Sequence, residues 1–375
     1  MLTLLRGAAW CNAMSQPFRF SGAHLAAQLF SQQFSSELTN TGDVLITLRL
    51  IVTCGRVETR LEAKIMRICS FLPSGTEILF ALGLGDSVVG VTFECDYPAE
   101  ARTKAVVVYT KLSPGLPERE IDRQVNEFSS QGRSLYRLDA DKLRRLKPDL
   151  IVTQDLCHVC AASPDDLAVI LGTLSPCPQV LALTPRTIAD VWNDIITVGN
   201  ATGRTAEATA LVANLERKIA QVRKDRGQSR PRVLCLEWLD PPFAAGHWVP
   251  EMVELAGGID VLGRAGEPGV EVSWDAIEES DPDIVLAMPC GYHREEIEAE
   301  LRVVPFPEVW YSLRAVQNGR VFAMDASSHF SRPGPRIADG VVALAEIFHE
   351  QAPAHPKKSV SADRSWDRPS RAGQR

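Results

Sequence analysis

Four cysteines of this chain follow apolar segments and have the chemistry of metal ligands or reactive thiols. Cys157 and Cys160 flank His158 in a C-x-x-C pair, while Cys95 and Cys290 stand alone. Thiolate and imidazole ligands suit zinc, cobalt, copper or iron–sulfur centres, and a C-x-x-C pair can also cycle as a dithiol. The pattern predicts that the four cysteines line one cleft, as metal ligands or as reduced thiols. The alternative is that they are unrelated core residues, because free cysteine is commonly buried.

A second set of side chains suits a broad, flat ligand. Three of its members offer apolar ring faces, and the others offer polar groups for the edge of such a ligand. The candidate ligand-binding residues are Tyr97, Phe243, His247, Trp248, Phe330 and Arg332. The alternative for each aromatic ring is ordinary packing between a loop and its lobe.

Motifs of the common enzyme classes are missing. The sequence has no G-x-S-x-G elbow, P-loop, H-E-x-x-H or G-x-G-x-x-G fingerprint. We therefore predict a binding protein with no catalytic residues and no required cofactor. The formal net charge of −7 argues against nucleic acid, and no apolar run approaches the roughly 20 residues of a membrane span.

Alternating strand and helix patterns must position these residues. From Met66 onward, short apolar runs such as Arg67–Leu72 and Lys147–Val152 alternate with helical segments, which predicts a largely parallel sheet covered on both faces. Ser74 and Glu77 have the spacing of a capping box at the start of a helix. Ligands of open α/β sheets bind beyond the carboxyl ends of the strands, and the candidate loops lie there.

The two halves of the chain echo each other. Residues 138–152 align without gaps on residues 272–286, each segment being a helix, a Pro-Asp turn and a buried strand, so that Asp141 matches Asp275. Two similar units predict two lobes that face each other across a cleft. The alternative is a chance match, since any α/β protein contains such units.

A helical stretch lies between these halves. Leu211, Leu215 and Ile219 fall on one helical face after a break at Thr202-Gly-Arg204. The predicted division is a poorly ordered extension in 1–65, a first lobe in 66–185, a helical linker in 186–229, a second lobe in 230–350 and a disordered tail in 351–375.

The extension bears on the compartment. Its Ser-rich, acid-poor composition resembles a transit peptide, but it shows no signal-peptide pattern. Nine cysteines at irregular spacing favour a reducing compartment. The sequence therefore favours a cytoplasmic or organellar location over a periplasmic one.

Segments spread over residues 66–350 carry a family resemblance. They are Ser70–Glu77, Asp96–Pro98, Asp240–Phe243 and the paired Lys147–Asp149 and Asp281–Asp283. In order and spacing they resemble the cobalamin and iron-siderophore substrate-binding proteins of ABC importers. A narrower likeness to the subgroup described as cobalamin-binding proteins rests on Glu94–Pro98, Gln154–Ala161, Glu237–Pro250, Pro289–Gly291 and Phe330–Arg336.

This resemblance implies the class III periplasmic-binding-protein fold, with two Rossmann-like lobes joined by a single long helix. It implies a corrinoid or related metal chelate as the ligand between the lobes, and an ABC permease as the partner. In the resembling importers, acidic residues at these helix starts pair with permease arginines, which implies that Asp141 and Asp275 are docking residues. The alternative function, from the cysteine pattern, is a cytosolic metal-binding or thiol-redox protein.

Overall fold

The computed structural model describes residues 36–41, 44–53, 56–154, 164–224 and 230–349. The chain divides into two compact units, Met1–Met66 and Arg67–Arg375. Among the described residues, no helix has both the length and the apolar character needed to cross a membrane.

The first unit contains a three-stranded antiparallel sheet, in the order β1-β2-β3. Its strands are β1 (Ser36–Thr41), β2 (Val44–Thr53) and β3 (Arg56–Ile65). These strands lie within the predicted extension in 1–65, whose poor order stays a prediction. Strand β2 is rich in valine, isoleucine and threonine, residues that favour an extended backbone.

The first lobe of the second unit is built on a six-stranded sheet in the order β7-β6-β5-β4-β8-β9, parallel except for β7. Its strands are β4 (Ile68–Ser70), β5 (Val88–Thr92), β6 (Ala105–Thr110), β7 (Tyr136–Leu138), β8 (Leu150–Gln154) and β9 (Gln179–Leu183). Its helices are α1 (Pro73–Ala81), α2 (Glu118–Ser130), α3 (Ala140–Leu146) and α4 (Pro164–Leu171).

The second lobe contains a mixed sheet with the path β13-β11-β10-β14-β15, and β12 also pairs with β10. Its strands are β10 (Arg232–Leu239), β11 (Pro242–Ala244), β12 (Ile259–Asp260), β13 (Val270–Glu271), β14 (Ile284–Ala287) and β15 (Val321–Ala323). Its helices are α7 (Val249–Ala256), α8 (Trp274–Ser280), α9 (Arg294–Val303), α10 (Glu308–Ser312), α11 (Arg314–Gln317), α12 (Ala326–His329) and α13 (Ile337–His349).

Two helices connect the lobes, α5 (Ile188–Thr202) and α6 (Thr205–Lys224). They meet at Gly203, whose φ of 72° ends α5 as a left-handed C-cap, at the break that the sequence predicted. The backbone N–H of Ile188 donates to Glu251 of the second lobe at 2.9 Å, and α5 also contacts α1 of the first lobe. Helix α6 packs on α7 and α13, so its apolar face is buried against the second lobe.

The echo between the halves is structural. Helices α3 and α8 are capped by Asp139 and Ser273 and end at left-handed residues, Lys147 and Asp281. Two residues later, the carboxylate of Asp149 accepts the N–H of Arg67 before β4 at 2.9 Å. Asp283 does the same for Arg232, the first residue of β10, at 2.8 Å. Each aspartate thus ties the start of its strand to the lobe's first strand, which explains why both segments have one pattern.

The predicted capping box at Ser74 is wrong. Helix α1 begins at Pro73, and no side chain caps it. Proline suits this first position because its fixed φ is helical and it has no N–H to satisfy. Glu77 is left without a capping role, although it is only 3% exposed.

The two-lobed α/β fold is as the sequence predicted. The predicted boundaries of the lobes, the linker and the tail stay predictions, and the tail lies outside the described residues.

Candidate functional site

The buried carboxylate of Glu77 is paired across the lobe interface. The arginine loop (residues 330–336) leads into α13 of the second lobe and reaches the start of α1 in the first. Arg336 donates to both oxygens of Glu77, at 2.8 and 2.6 Å. Arg332 donates to Asp96 at 2.5 Å and to the carbonyl oxygen of Glu94 at 2.9 Å. Two signature segments of the sequence therefore meet and hold the lobes together.

A histidine extends this contact. The Nε2 of His293 lies 3.0 Å from Asp96 in the first lobe, and its Nδ1 lies 3.1 Å from Asp325 in its own lobe. Asp325 also caps α12 by accepting the N–H of Ser328 at 2.9 Å. The imidazole thus bridges a carboxylate of each lobe.

The electrostatics of the two carboxylates differ. Burial raises the pKa of Glu77 above its ordinary value, although Arg336 and Arg332 oppose the effect. Burial acts on Asp96 in the same direction, but the hydrogen bond and charge of Arg332, together with His293, bring its pKa below the ordinary value. Asp96 is therefore the more firmly ionised partner of the interface.

Helix α2 makes a second contact between the lobes. The Oε2 of Glu118 accepts the backbone N–H groups of Leu239 and Asp240, at 2.7 and 3.2 Å. Arg119 donates to both oxygens of Asp240, at 3.0 and 2.7 Å. Burial raises the pKa of Glu118 to about 7, and the nearby carboxylates of Glu300 and Asp240 add to the shift.

Three aromatic rings lie on the second lobe beside this contact. Trp238 and Phe243 are cross-strand partners on β10 and β11, and such partners point to the same face of a sheet. The ring of Tyr292 is 5.9 Å from that of Trp238. We call Trp238, Phe243 and Tyr292 the aromatic platform. All three are half-buried.

Acidic groups border the aromatic platform. Glu271 on β13 is the cross-strand partner of Phe243. Burial and the charges of Glu271 and Asp240 raise the pKa of Asp122, which locates this residue of α2 near the platform's edge. Half-buried ring faces can pack on an apolar surface, and the carboxylates beside them can accept hydrogen bonds.

Two of the predicted ligand-binding rings are core residues. Trp248 is 5% exposed and Phe330 is 2% exposed. The indole Nε1 of Trp248 donates to the carbonyl oxygen of Phe330 at 2.7 Å. Their ring faces are therefore engaged in packing inside the second lobe, which was the alternative interpretation.

Of the other predicted ligand-binding residues, Tyr97 and Arg332 belong to the same contact between the lobes, beside Asp96. Phe243 belongs to the aromatic platform, whereas Arg332 is held by the interface contacts above. Tyr97 is 49% exposed and lies under the guanidinium of Arg336, 4.2 Å from its ring centre. His247 adopts a φ of 51°, and burial and the charge of Arg186 lower its pKa.

The predicted cysteine cluster is only partly within the described residues. Cys157 and Cys160 lie outside them. Cys95 is buried in the first lobe, where its sulfur contacts the hydroxyls of Thr76 and Thr92 at 3.1 and 3.4 Å. Burial raises the pKa of the Cys95 thiol, which disfavours the thiolate. Cys290 is exposed in the turn after β14.

No group of three or more potential ligands for a metal ion occurs among the residues that the structure describes. The four-cysteine site stays a prediction.

Asp141 and Asp275 occupy the same place in the two lobes, each in the first turn of its helix. Neither caps the helix, because Asp139 and Ser273 do so. Both aspartates are exposed, and Asp141 forms an ion pair with Arg144.

Sequence reasoning missed Glu118, Trp238 and Tyr292. Trp238 and Tyr292 stand in or beside segments that carried the family resemblance, and both follow from the rule that sites lie at the carboxyl ends of strands. Glu118 lies in a polar helix with many similar residues, and only the fold distinguishes it.

Comparison with known proteins identifies the family. The model of the periplasmic binding protein family matches residues 68–328, well over half of the chain. The chain belongs to this family. The resemblance seen in the signature segments is confirmed.

Individual relatives agree with this assignment. The vitamin B12-binding protein of Vibrio cholerae is 24% identical over 284 residues, which cover 73% of this chain and 86% of the relative. An ABC transporter substrate-binding lipoprotein of Bacillus subtilis is 25% identical over 292 residues, with 76% and 80% covered. The periplasmic haem-binding protein of Roseiflexus sp. RS-1 superposes with a TM-score of 0.58 at 24% identity, covering 76% of this chain and 99% of that structure.

These relatives correct the predicted compartment. The predicted cytoplasmic or organellar location is wrong. The matched family is that of periplasmic binding proteins, and one relative is a lipoprotein, so the comparisons indicate a location outside the cytoplasm. The error came partly from the cysteine count. Cys69, Cys95 and Cys235 are buried, and a buried thiol behaves as a small apolar residue. Such cysteines therefore give little information on whether the compartment is reducing or oxidising.

The relatives are named as binding proteins, in line with the predicted absence of catalysis. They give no support to the alternative of a metal-binding or thiol-redox protein.

Proposed function

We propose that this chain is the substrate-binding component of an ABC uptake system and that it carries a corrinoid between its lobes. The observation that carries the proposal is the aromatic platform, which lies at the carboxyl end of β10 and opposite α2 of the first lobe. Flat aromatic faces suit a macrocycle, whose apolar area they remove from water.

The charge at the interface favours a corrinoid over haem. Haem has two carboxylates, which need cationic partners. Arg119, Arg332 and Arg336 are cations of the lobe interface, and each is bonded to an acidic side chain of the opposite lobe. Glu118, Asp122 and Glu271 border the aromatic platform and would repel an anionic ligand. The amide groups at the edge of a corrin ring are uncharged and meet no such repulsion.

The experiment is a calorimetric titration of the purified chain with cyanocobalamin and, in parallel, with haemin. We expect saturable one-to-one binding of cyanocobalamin and much weaker binding of haemin. Replacing Phe243 by alanine should weaken cyanocobalamin binding at least about tenfold, as expected for a central ring of a binding site.

A matched control comes from the same sheet. Phe322 lies on β15, at the edge opposite to β11 and β13, and its replacement by alanine should leave the affinity unchanged. Absence of saturable binding with cyanocobalamin would contradict the proposal, and preferred binding of haemin would reassign the ligand.

We also propose that Asp141 and Asp275 dock the two lobes on the permease. Their equivalent, exposed positions support this, and so does the presence of separate capping residues. Replacing both by asparagine should abolish association with the cognate permease and leave the melting temperature unchanged. If the double variant melts lower and still associates, the aspartates stabilise their helices and have no docking role.

A further inference from the structure

Two polar atoms at the lobe interface are buried without a hydrogen-bond partner among the described residues. They are the Oε1 of Glu118 and the indole Nε1 of Trp238. Glu118 as a whole is only 2% exposed. A buried polar atom without a partner is unfavourable, and in native structures it usually marks a site for water, an ion or a ligand.

The two atoms belong to one neighbourhood. Glu118 bonds through Oε2 to the N–H groups of Leu239 and Asp240, the two residues that follow Trp238. Tyr292, whose ring neighbours that of Trp238, has a pKa raised by burial and next by the charge of Glu118. The acceptor Oε1 of Glu118, from the first lobe, and the donor Nε1 of Trp238, from the second, therefore lie in the same part of the lobe interface, beside the aromatic platform.

We propose that Glu118 and Trp238 together bind a primary carboxamide of the ligand. The carboxamide N–H donates to Oε1 of Glu118, and its carbonyl oxygen accepts from Nε1 of Trp238. This inference rests on the proposed function, because primary carboxamides are the groups that a corrinoid displays around its ring.

Such a pair distinguishes amides from acids. A carboxylate in the same place could accept from Trp238, but it would have no N–H for Glu118. It would also lie beside the negative charges of Glu118, Glu300 and Asp240. A site with a fixed donor and acceptor rejects a ligand that cannot match both, since buried polar atoms would then stay unpaired.

Two conservative variants remove one half of the pair each. Glu118→Gln can still accept the two N–H groups of the second lobe, but its amide nitrogen replaces the free oxygen and opposes the ligand's N–H. Trp238→Phe keeps an aromatic ring and removes only the donor. The matched controls are Glu120→Gln, two residues along α2, where the side chain pairs with Arg123, and Trp274→Phe, at the start of α8.

Binding would be measured at pH 8, above the pKa of about 7 of Glu118, so that its carboxylate is ionised. The probes are cyanocobalamin, dicyanocobinamide, and cobyrinic acid, which is the same corrin with carboxyl groups in place of amides. We expect the wild type to bind the two amide corrins and to bind cobyrinic acid at least about tenfold more weakly.

Each variant should lose roughly tenfold in affinity for the amide corrins, and the double variant should lose less than the product, because both residues hold one group. Control variants should bind like the wild type, and melting curves check that all variants are folded.

The possible failures are distinguishable. If the wild type binds no corrinoid, the proposed function fails and this inference fails with it. If the wild type binds cyanocobalamin but Glu118→Gln and Trp238→Phe stay within about twofold of it, only the carboxamide assignment is overturned, and water satisfies the two atoms. Equal affinity for cobyrinic acid and dicyanocobinamide would overturn it as well.

Discussion

Replacing Arg336 by alanine should strongly destabilise the folded protein. The change removes the hydrogen bonds of 2.8 and 2.6 Å to Glu77, a residue 3% exposed, and leaves Arg332 at 3.5 Å as its remaining cation. Breaking a buried ion pair by removing one partner costs roughly 3–5 kcal/mol. Because Arg332 stays in place, we expect the lower end, about 3 kcal/mol.

The cost should depend on pH. Burial already raises the pKa of Glu77 in the folded protein, and loss of Arg336 removes a group that lowers it. A carboxyl whose pKa is higher in the folded than in the unfolded state favours folding when protonated, and this contribution is lost as the pH rises. The destabilisation should therefore be larger at pH 8 than at pH 5.

Urea unfolding followed by circular dichroism and by tryptophan fluorescence measures the effect. The control is Arg314→Ala, because Arg314 also contacts two carboxylates, Asp281 and Asp283, but is 48% exposed. An exposed pair of this kind contributes about 0–1 kcal/mol. If Arg336→Ala costs no more than Arg314→Ala, or costs more at pH 5 than at pH 8, the reasoning about Glu77 is refuted.

Two further predictions concern stability. The pKa of about 7 of Glu118 lies above that of an ordinary glutamate, so its contribution favours the folded state at low pH and is lost as the pH rises through 7. Glu118→Gln should raise the melting temperature at pH 8 relative to the wild type and have little effect near pH 4. An equal change of melting temperature at the two pH values would contradict the titration of Glu118 near pH 7. Gly246→Ala should destabilise by roughly 1–3 kcal/mol, because its Cβ would lie 2.4 Å from the carbonyl oxygen of Glu267. Gly172→Ala, whose nearest contact would be 3.5 Å, should change the midpoint of urea unfolding little, and a similar loss in both variants would contradict the steric argument.

The sequence carried enough information to predict the architecture. Alternating patterns and the internal echo predicted two lobes, and the break at Gly203 was located correctly. These features depend on local preferences and on the burial of apolar runs, which a single sequence displays. The strands before Met66 were not predicted, because β2 lies outside the alternation of strand and helix patterns that begins at Met66.

The candidate site was harder to predict, because it depends on which side of a loop each ring faces. Trp238 and Trp248 are ten residues apart in one segment, yet Trp238 joins the aromatic platform while Trp248 is buried. Nothing in their local sequence distinguishes them. Arg332 was expected to meet the ligand's edge, but its partner Asp96 is 236 residues away along the chain, and only the fold brings the two together.

The pairing of Glu77 with Arg336 also orders events during synthesis. The two residues are separated by 259 positions. At 5–20 residues per second, a ribosome needs roughly 13–50 s to add that length. During this interval the nascent first lobe has a carboxylate whose eventual counter-charge has not yet been made. The carboxylate must stay hydrated or protonated until Arg336 has been synthesised, so the interface closes late.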